Sequence, residues 1–226
     1  MAVTTPGKLS YQDYLEALYE MAEEEIPTQQ VRLAEWLGVT PASVSEAVKR
    51  LTGTGLVATG EQRRLALTPE GRKIARTLVR RHRLAERFLV EVVGLPWHQA
   101  HEEATTWGRA ISDQVERRFV DILGDPPTCV HGNPIPGSSN KVDLKGLRPL
   151  EDVPPRRRVR LERLTEDLEL DLQVMRFFEE TGLTPGAEFE VASVAPDGTR
   201  TLEIDGRRVG LGHQLADNLW VRPVST

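Results

Sequence analysis

Glycine and proline crowd the chain from Gly124 to Pro155. Proline donates no backbone hydrogen bond and glycine loses the most conformational freedom on ordering, so neither a helix nor a central strand is expected to run through such a stretch. It divides the 226 residues into a front part with helical apolar periodicity and a back part of short apolar runs between turn signals. Two compact units, or one large unit with an appendage, are expected at this length. The single cysteine rules out an internal disulfide framework. The Met-Ala-Val-Thr-Thr-Pro start has no apolar core, and no run of about 18 apolar residues occurs. The expectation is a soluble protein of a reducing compartment, cytoplasmic and without membrane attachment.

A net charge of −5 argues on average against nucleic acid, whose partners are usually basic. The charge is uneven. Residues 27–93 carry 12 Lys/Arg against 6 Asp/Glu, net +6, while residues 1–26 are net −5 and residues 94–155 and 156–226 are net −3 each. Phosphates respond to the cations that reach them, not to the chain average, so double-stranded DNA remains a partner to consider.

The basic stretch has a matching pattern. Ser10 caps a helix whose apolar face includes Tyr14, Leu15 and Leu18. Val31, Leu33, Ala34 and Leu37 form a second, short helix within residues 27–38, stopped by Gly38. Thr40 as N-cap and Pro41 at the first position open a third, burying Val44, Val48 and Leu51. Helix, glycine turn and capped helix with small polar residues outward is a helix-turn-helix pattern. Residues 55–59 and 65–68 read as two strands joined by the basic tip Gly60-Glu61-Gln62-Arg63-Arg64, a wing.

Thr68 opens a long helix reaching Val93. It breaks at Gly94-Leu95-Pro96 and is followed by a second long helix from Trp97 to Leu123, packed antiparallel to it. Beyond Pro155 the order is strand (159–164), helix (168–181) and strands at 189–194, 201–204 and 207–211, a small SH3-like β-barrel. The fold class expected is mainly α with small β: an N-terminal winged helix-turn-helix, a long-helix domain and a C-terminal barrel. Trp36, Trp97, Trp107 and Trp220 read as core anchors.

On the third helix Thr40, Ser43 and Ser45 offer short hydroxyls for phosphate or base-edge contact, and Arg50 suits a phosphate. Arg63 and Arg64 on the wing tip can reach the neighbouring backbone. Glu46 can accept from cytosine N4. No P-loop, dinucleotide fingerprint or nucleophile elbow is present, so an enzyme is not expected. His82 and Glu86, at i and i+4, share a helix face, and His101 lies on the facing helix. Two imidazoles and a carboxylate suit divalent transition metals. Cys129 and His131, two apart on a loop, read as packing or surface residues, and His98 and His213 as structural.

Tyr14-Leu15-Glu16-Ala17-Leu18-Tyr19, Val44-Ser45-Glu46-Ala47-Val48-Lys49-Arg50-Leu51, Arg81-His82-Arg83-Leu84-Ala85-Glu86-Arg87, Ser112-Asp113-Gln114-Val115-Glu116-Arg117-Arg118 and Gly132-Asn133-Pro134-Ile135-Pro136-Gly137 occur in the order and spacing of one family. The chain resembles the diphtheria-toxin-repressor/iron-dependent-regulator family, which includes the manganese-transport regulators. The resemblance implies a DNA-binding domain over residues 1–68, a dimerisation and metal-binding domain over 69–137, a linker over 138–155 and an SH3-like, FeoA-like domain over 156–226. It implies a homodimer that binds a palindromic operator and represses iron or manganese homeostasis genes when metal is present. Mn²⁺ is the first expectation and Fe²⁺ the second, with other divalent transition metals able to bind in vitro.

By the same resemblance His82, Glu86 and His101 form the site often called ancillary, to which the C-terminal domain adds Glu166 and Glu169. Asp13 and Glu16 occupy ligand positions of the manganese-sensing branch. The family's primary site also draws on the positions held here by Thr105, Gly108 and Arg109, none of them a good ligand. That site is expected to be absent or remodelled, with Arg109 replacing the cation by an ion pair to Asp13 and Glu16. The alternative is a winged-helix regulator that has lost metal sensing and is constitutive or answers another signal.

Overall fold

The structure is a computed structural model and describes residues 9–224. The chain forms two compact units, one up to Arg81 and one from His82 onward.

The first unit contains α1 (Tyr11–Glu23), α2 (Gln30–Trp36), α3 (Pro41–Gly53), the antiparallel pair β1 (Val57–Thr59) and β2 (Leu65–Leu67), and the start of α4 (Pro69–Phe88). Its core gathers Leu15, Leu18 and Met21 of α1, Leu33 of α2, and Val44, Val48 and Leu51 of α3, with Val57, Leu65 and Ala75 closing it. The Thr40 hydroxyl accepts from the Ser43 amide at 3.2 Å, so α3 starts where the Thr-Pro pair implies. Thr68 caps α4 through the Gly71 amide at 3.1 Å and donates back to the Gly55 carbonyl at 2.8 Å.

In the second unit α4 ends in a π-type turn over Leu89–Val93, closed by left-handed Gly94. The expected second long helix is interrupted. A 3₁₀ turn (Trp97–Gln99) leads into α5 (Ala100–Ala110), the chain extends at Ile111, and α6 (Asp113–Leu123) restarts under the Ser112 cap. Ser112, whose hydroxyl accepts from the Val115 amide at 3.3 Å, was a legible start signal inside an apolar period that otherwise reads as continuous. Phe88 stacks on Phe119 at 4.2 Å between centroids, joining α4 to α6.

The barrel has one six-stranded antiparallel sheet in the order β3 (Arg148–Pro149), β8 (Leu219–Pro223), β4 (Arg157–Leu164), β5 (Glu188–Val194), β6 (Arg200–Ile204), β7 (Arg207–Leu211). The helix expected over 168–181 is two: α7 (Glu166–Glu169) and α8 (Leu172–Thr181), with Asp171 capping the second through the Gln173 and Val174 amides. A last short helix, α9 (His213–Ala216), precedes β8. Strands β3 and β8 were not expected. The stretch assigned above to a linker carries β3, and its Leu150 and Val153 are buried with Phe178, Phe189 and Leu211 in the barrel core. Of the four tryptophans, Trp97 joins that core, whereas Trp107 is 38% exposed, its ring 6.5 Å from that of Phe88 between centroids.

Residues 128–135 are laid on the barrel, and Gly132 sets the approach. Its φ is +91°, and a Cβ there would lie 2.1 Å from the Glu162 carbonyl oxygen and 2.6 Å from the Arg163 Cα. Gly132→Ala therefore combines left-handed strain with a backbone clash. The expected cost is at least about 2–3 kcal/mol, read as a lowered midpoint in thermal denaturation; a midpoint equal to wild type would mean that the loop does not rest on β4.

Candidate metal centre

His82 and Glu86 project from one face of α4, His101 from the first turn of α5, Cys129 and His131 from the loop before Gly132, and Glu166 and Glu169 from α7. They form three overlapping triads, His82/Glu86/His101, Glu86/Cys129/His131 and His101/Glu166/Glu169, with donor atoms in each triad within 4.8 Å of one another. Glu86 is 1% exposed, His131 0%, Glu166 4% and Glu169 5%.

The separations are those of a coordination shell. A cation about 2.1 Å from each donor leaves neighbouring donors about 3.0 Å apart in an octahedron and about 3.4 Å in a tetrahedron. Glu86 Oε1 lies 3.1 Å from His82 Nε2, 3.3 Å from His101 Nδ1 and 3.4 Å from His131 Nδ1. Glu169 Oε2 lies 3.0 Å from His101 Nδ1 and 2.7 Å from His131 Nδ1. His131 Nδ1 nevertheless makes no directed hydrogen bond, and His131 Nε2 and Glu86 Oε2 have no partner at all. Orphaned polar atoms in a dry interior are costly. Donors close together but aimed past one another suit a shared cation.

Neighbouring groups orient these donors. Asn133 Nδ2 donates to Glu169 Oε1 at 2.7 Å, turning Oε2 toward the imidazoles. Arg83, from α4, holds Glu166 Oε1 through Nε at 3.1 Å and Nη2 at 2.5 Å, and donates to the Pro134 carbonyl through Nη1. Trp97 meets His131 edge-on at 4.7 Å and bonds the Val130 carbonyl at 3.0 Å, fixing the imidazole from behind.

Without a cation, protons supply the positive charge. Burial works against the charged form of His101, but hydrogen bonds to Glu169 and Glu86 outweigh it and raise its pKa to about 9. Burial likewise opposes a charged His131, and the charges of Glu169 and Glu86 raise its pKa well above the usual imidazole value. Glu86 is held well below the carboxylate range despite its burial by His131 and His82, and Glu169 is lowered despite burial chiefly by His131. Glu166 is pushed up to about 7 by burial and by Glu169, against Arg83. Burial and the nearby Glu86 charge push the Cys129 thiol up to about 12.

The five expected positions His82, Glu86, His101, Glu166 and Glu169 thus converge, although Glu166 gives one oxygen to Arg83. Cys129 and His131, read from sequence as packing or surface residues, face the same cluster. Their Cys-x-His spacing directly before Gly132 was the available signal. At the positions of the family's primary site, the Thr105 hydroxyl bonds the His101 carbonyl at 2.9 Å, and a Cβ on Gly108 would sit 3.2 Å from the His82 Cα. In the first unit Asp13 is the N3 partner of the α1 cap, its Oδ2 accepting from the Ser10 amide at 2.6 Å, and Glu16 is half-buried on the same helix. Ser43, Ser45, Arg50, Arg63 and Arg64 are exposed, as is Thr40, whose hydroxyl also serves as cap. Gln62 and Arg63 at the wing tip have φ of 53° and 58°.

Comparison with known proteins accounts for both units. A model described as the iron dependent repressor N-terminal DNA binding domain matches residues 9–65, and one described as the iron dependent repressor metal binding and dimerisation domain matches residues 68–137. Iron-dependent repressor IdeR of Mycobacterium tuberculosis is 36% identical, across 93% of this chain and 96% of that protein. The chain belongs to the iron-dependent repressor family. This repressor also carries a FeoA domain at residues 148–223. Diphtheria toxin repressor of Corynebacterium efficiens is 36% identical, over 93% of this chain and 94% of its own length. The structure of a manganese-dependent transcriptional repressor in complex with manganese superposes with a TM-score of 0.82 at 32% identity, covering 95% of this chain and all of that one. This repressor is a metal-dependent, DNA-binding transcriptional regulator and not an enzyme. Among the described residues, no helix is long and apolar enough to cross a membrane.

A divalent ion must displace the protons on His101 and His131. Since the metal-free His101 titrates near 9, fewer protons have to leave as pH rises toward that value. Mn²⁺ affinity is therefore expected to increase from pH 6 to pH 8, by about tenfold per pH unit for each proton released. Calorimetry in buffers of different ionisation enthalpy counts those protons; a flat affinity profile with no proton release would remove the imidazoles from the ligand set.

Proposed function

We propose that this repressor senses Mn²⁺, with Fe²⁺ as second choice, through the buried centre of His82, Glu86, His101, Glu169 and His131, flanked by Glu166 and Cys129. The observation that carries this reading is the set of donor separations around Glu86 Oε1 and Glu169 Oε2, all between 2.7 and 3.4 Å in a buried place. Imidazole and carboxylate donors accept Mn²⁺ and Fe²⁺; Co²⁺ and Zn²⁺ bind such a set more tightly in intrinsic terms, so the choice of Mn²⁺ rests on geometry and metal availability. The centre links α4 and α5 to α7, so an ion there ties the helical region to the barrel within the second unit. Thr105 and Gly108 offer no comparable donors, so control rests on this centre.

In this reading residues 1–68 bind DNA, 69–137 dimerise and hold metal, and the barrel supplies Glu166 and Glu169. The dimer sets two α3 helices in successive major grooves of a palindromic operator, about 34 Å apart, and the partner DNA places its work in the cytoplasm. Ser43, Ser45 and Arg50 of α3 and Arg63 and Arg64 of the wing reach the duplex, with Thr40 as both cap and phosphate contact. Metal acts by binding the DNA-competent state more tightly than the other.

Operator affinity measured by fluorescence anisotropy is expected to tighten with Mn²⁺ by about 5–150-fold, and His82→Ala/His101→Ala to abolish the increase while keeping the chelator-treated affinity. Equal binding by both proteins with chelator present and with Mn²⁺ would mean that metal sensing has been lost. Separately, Arg50→Ala is expected to weaken binding across sequences and to reduce the salt slope by about one; an unchanged slope would take Arg50 off the phosphates.

A further inference from the structure

We propose that one end of the barrel, where β3, β4 and β8 meet, is a binding pocket for a nucleotide with two phosphate groups, the phosphates on a rim of arginines and the nucleoside on an apolar floor. The proposal is independent of the metal centre, since none of the residues involved is among its donors.

A cavity of about 350 Å³ opens at the first residues of β3 and β4 and the last of β8. That volume lies in the range that holds small organic ligands. Its lining includes Arg148, Arg156, Arg157 and Arg158, with Val153 and Val159 among the apolar residues and no carboxylate. Four arginines around one concavity raise a positive field that nothing in the lining offsets. The surrounding sequence is acidic, residues 156–226 being net −3, so the cluster runs against the local composition. Arg158 Nη2 stands 3.5 Å from Glu188 Oε2, a contact between exposed side chains. Arg148, Arg156 and Arg157 make no side-chain hydrogen bond or ion pair among the described residues.

The backbone is bent where the cavity forms. Arg156 has a φ of 61°, in the left-handed region that residues with a Cβ seldom enter, and its amide donates to the Val191 carbonyl at 2.6 Å. Successive strand residues point to opposite faces, yet residues 156, 157 and 158 all line this cavity. The left-handed step at Arg156 breaks the alternation at the start of β4. Glycine takes that conformation freely, so an arginine strained there beside two others points to a ligand more than to the fold.

The residue types select the ligand. Guanidinium forks match phosphate oxygens two at a time. A phosphate monoester carries about 1.5–2 negative charges at pH 7, so two of them balance the three arginines that lack a carboxylate partner. Val153 and Val159 are buried side chains that offer an apolar surface to a nucleoside, and guanidinium planes stack on bases. A DNA strand spreads single charges along a surface, whereas an enclosed cavity suits a compact ligand with its charge concentrated.

The test is calorimetric titration of the full-length, metal-loaded protein with adenosine 3′,5′-bisphosphate, whose separated phosphates do not chelate one ion together, and with adenosine and sulfate. One bisphosphate per protomer is expected, weakening with salt, with sulfate at least about tenfold weaker and adenosine not bound. Arg156→Gly/Arg157→Ser is expected to weaken the bisphosphate by about 100-fold or more, about tenfold for each charge-assisted contact. Its thermal midpoint should match wild type, because glycine suits the backbone at 156. Arg148→Gln, on β3, gives an independent loss of about tenfold, and Arg63→Ala/Arg64→Ala on the wing is expected to change nothing. No saturable binding by the wild type would overturn the pocket, as would binding that survives both pocket variants. Loss in the wing variant would move the ligand to the DNA-binding face and overturn it too. Sulfate binding as tightly as the bisphosphate would overturn the nucleoside and leave a bare oxyanion site. A pocket variant that loses affinity for a non-operator duplex while wild type ignores the bisphosphate would assign the arginines to DNA instead.

Discussion

The second unit is organised around a desolvated cluster of acids and imidazoles that water cannot screen. Charges in such a place persist only if paired, and breaking a buried pair strands the partner. Glu86 and Glu169 stay ionised because His131, with His82 or His101, faces them. Arg83 is occupied by Glu166, and Asn133 by Glu169. Each element contributing a donor therefore depends on the others: α4 through His82 and Glu86, α5 through His101, the loop through His131, and α7 through its two glutamates. The barrel core of Phe178, Phe189 and Leu161 supplies the bulk of the packing, but this polar knot sets where the helices meet the barrel.

Protons and metal compete for the same positions. With neutral imidazoles, one divalent ion held there would supply the two positive charges that His101 and His131 otherwise carry between Glu86 and Glu169. The steric supports, Trp97 behind His131 and Gly132 against β4, need not change between the two.

The parts of this design that were legible in sequence were those written in local spacing. His82 and Glu86 share a face because four residues make about one helical turn, and Thr40-Pro41 and the wing-tip arginines follow from capping and turn rules. What was not legible depends on contacts distant in sequence. His131 becomes a candidate donor only when the loop folds over β4 and meets Glu169, 38 positions later in the chain. Strand β3 is two residues long and exists because β8 offers a partner edge. The break at Ile111 competes with a continuous apolar period, and only the Ser112 cap betrays it.

Gly108 lies where α5 and α4 come closest. With no side chain there, the α5 backbone comes so near α4 that even a methyl group would press on the His82 backbone. A glutamate introduced at 108 would push away the helix that presents His82, so a gain of donors at one site would be a loss of alignment at the other. The close approach of α5 to α4 at Gly108 therefore fixes the alignment of His82, and any side chain at 108 has to displace one helix from the other.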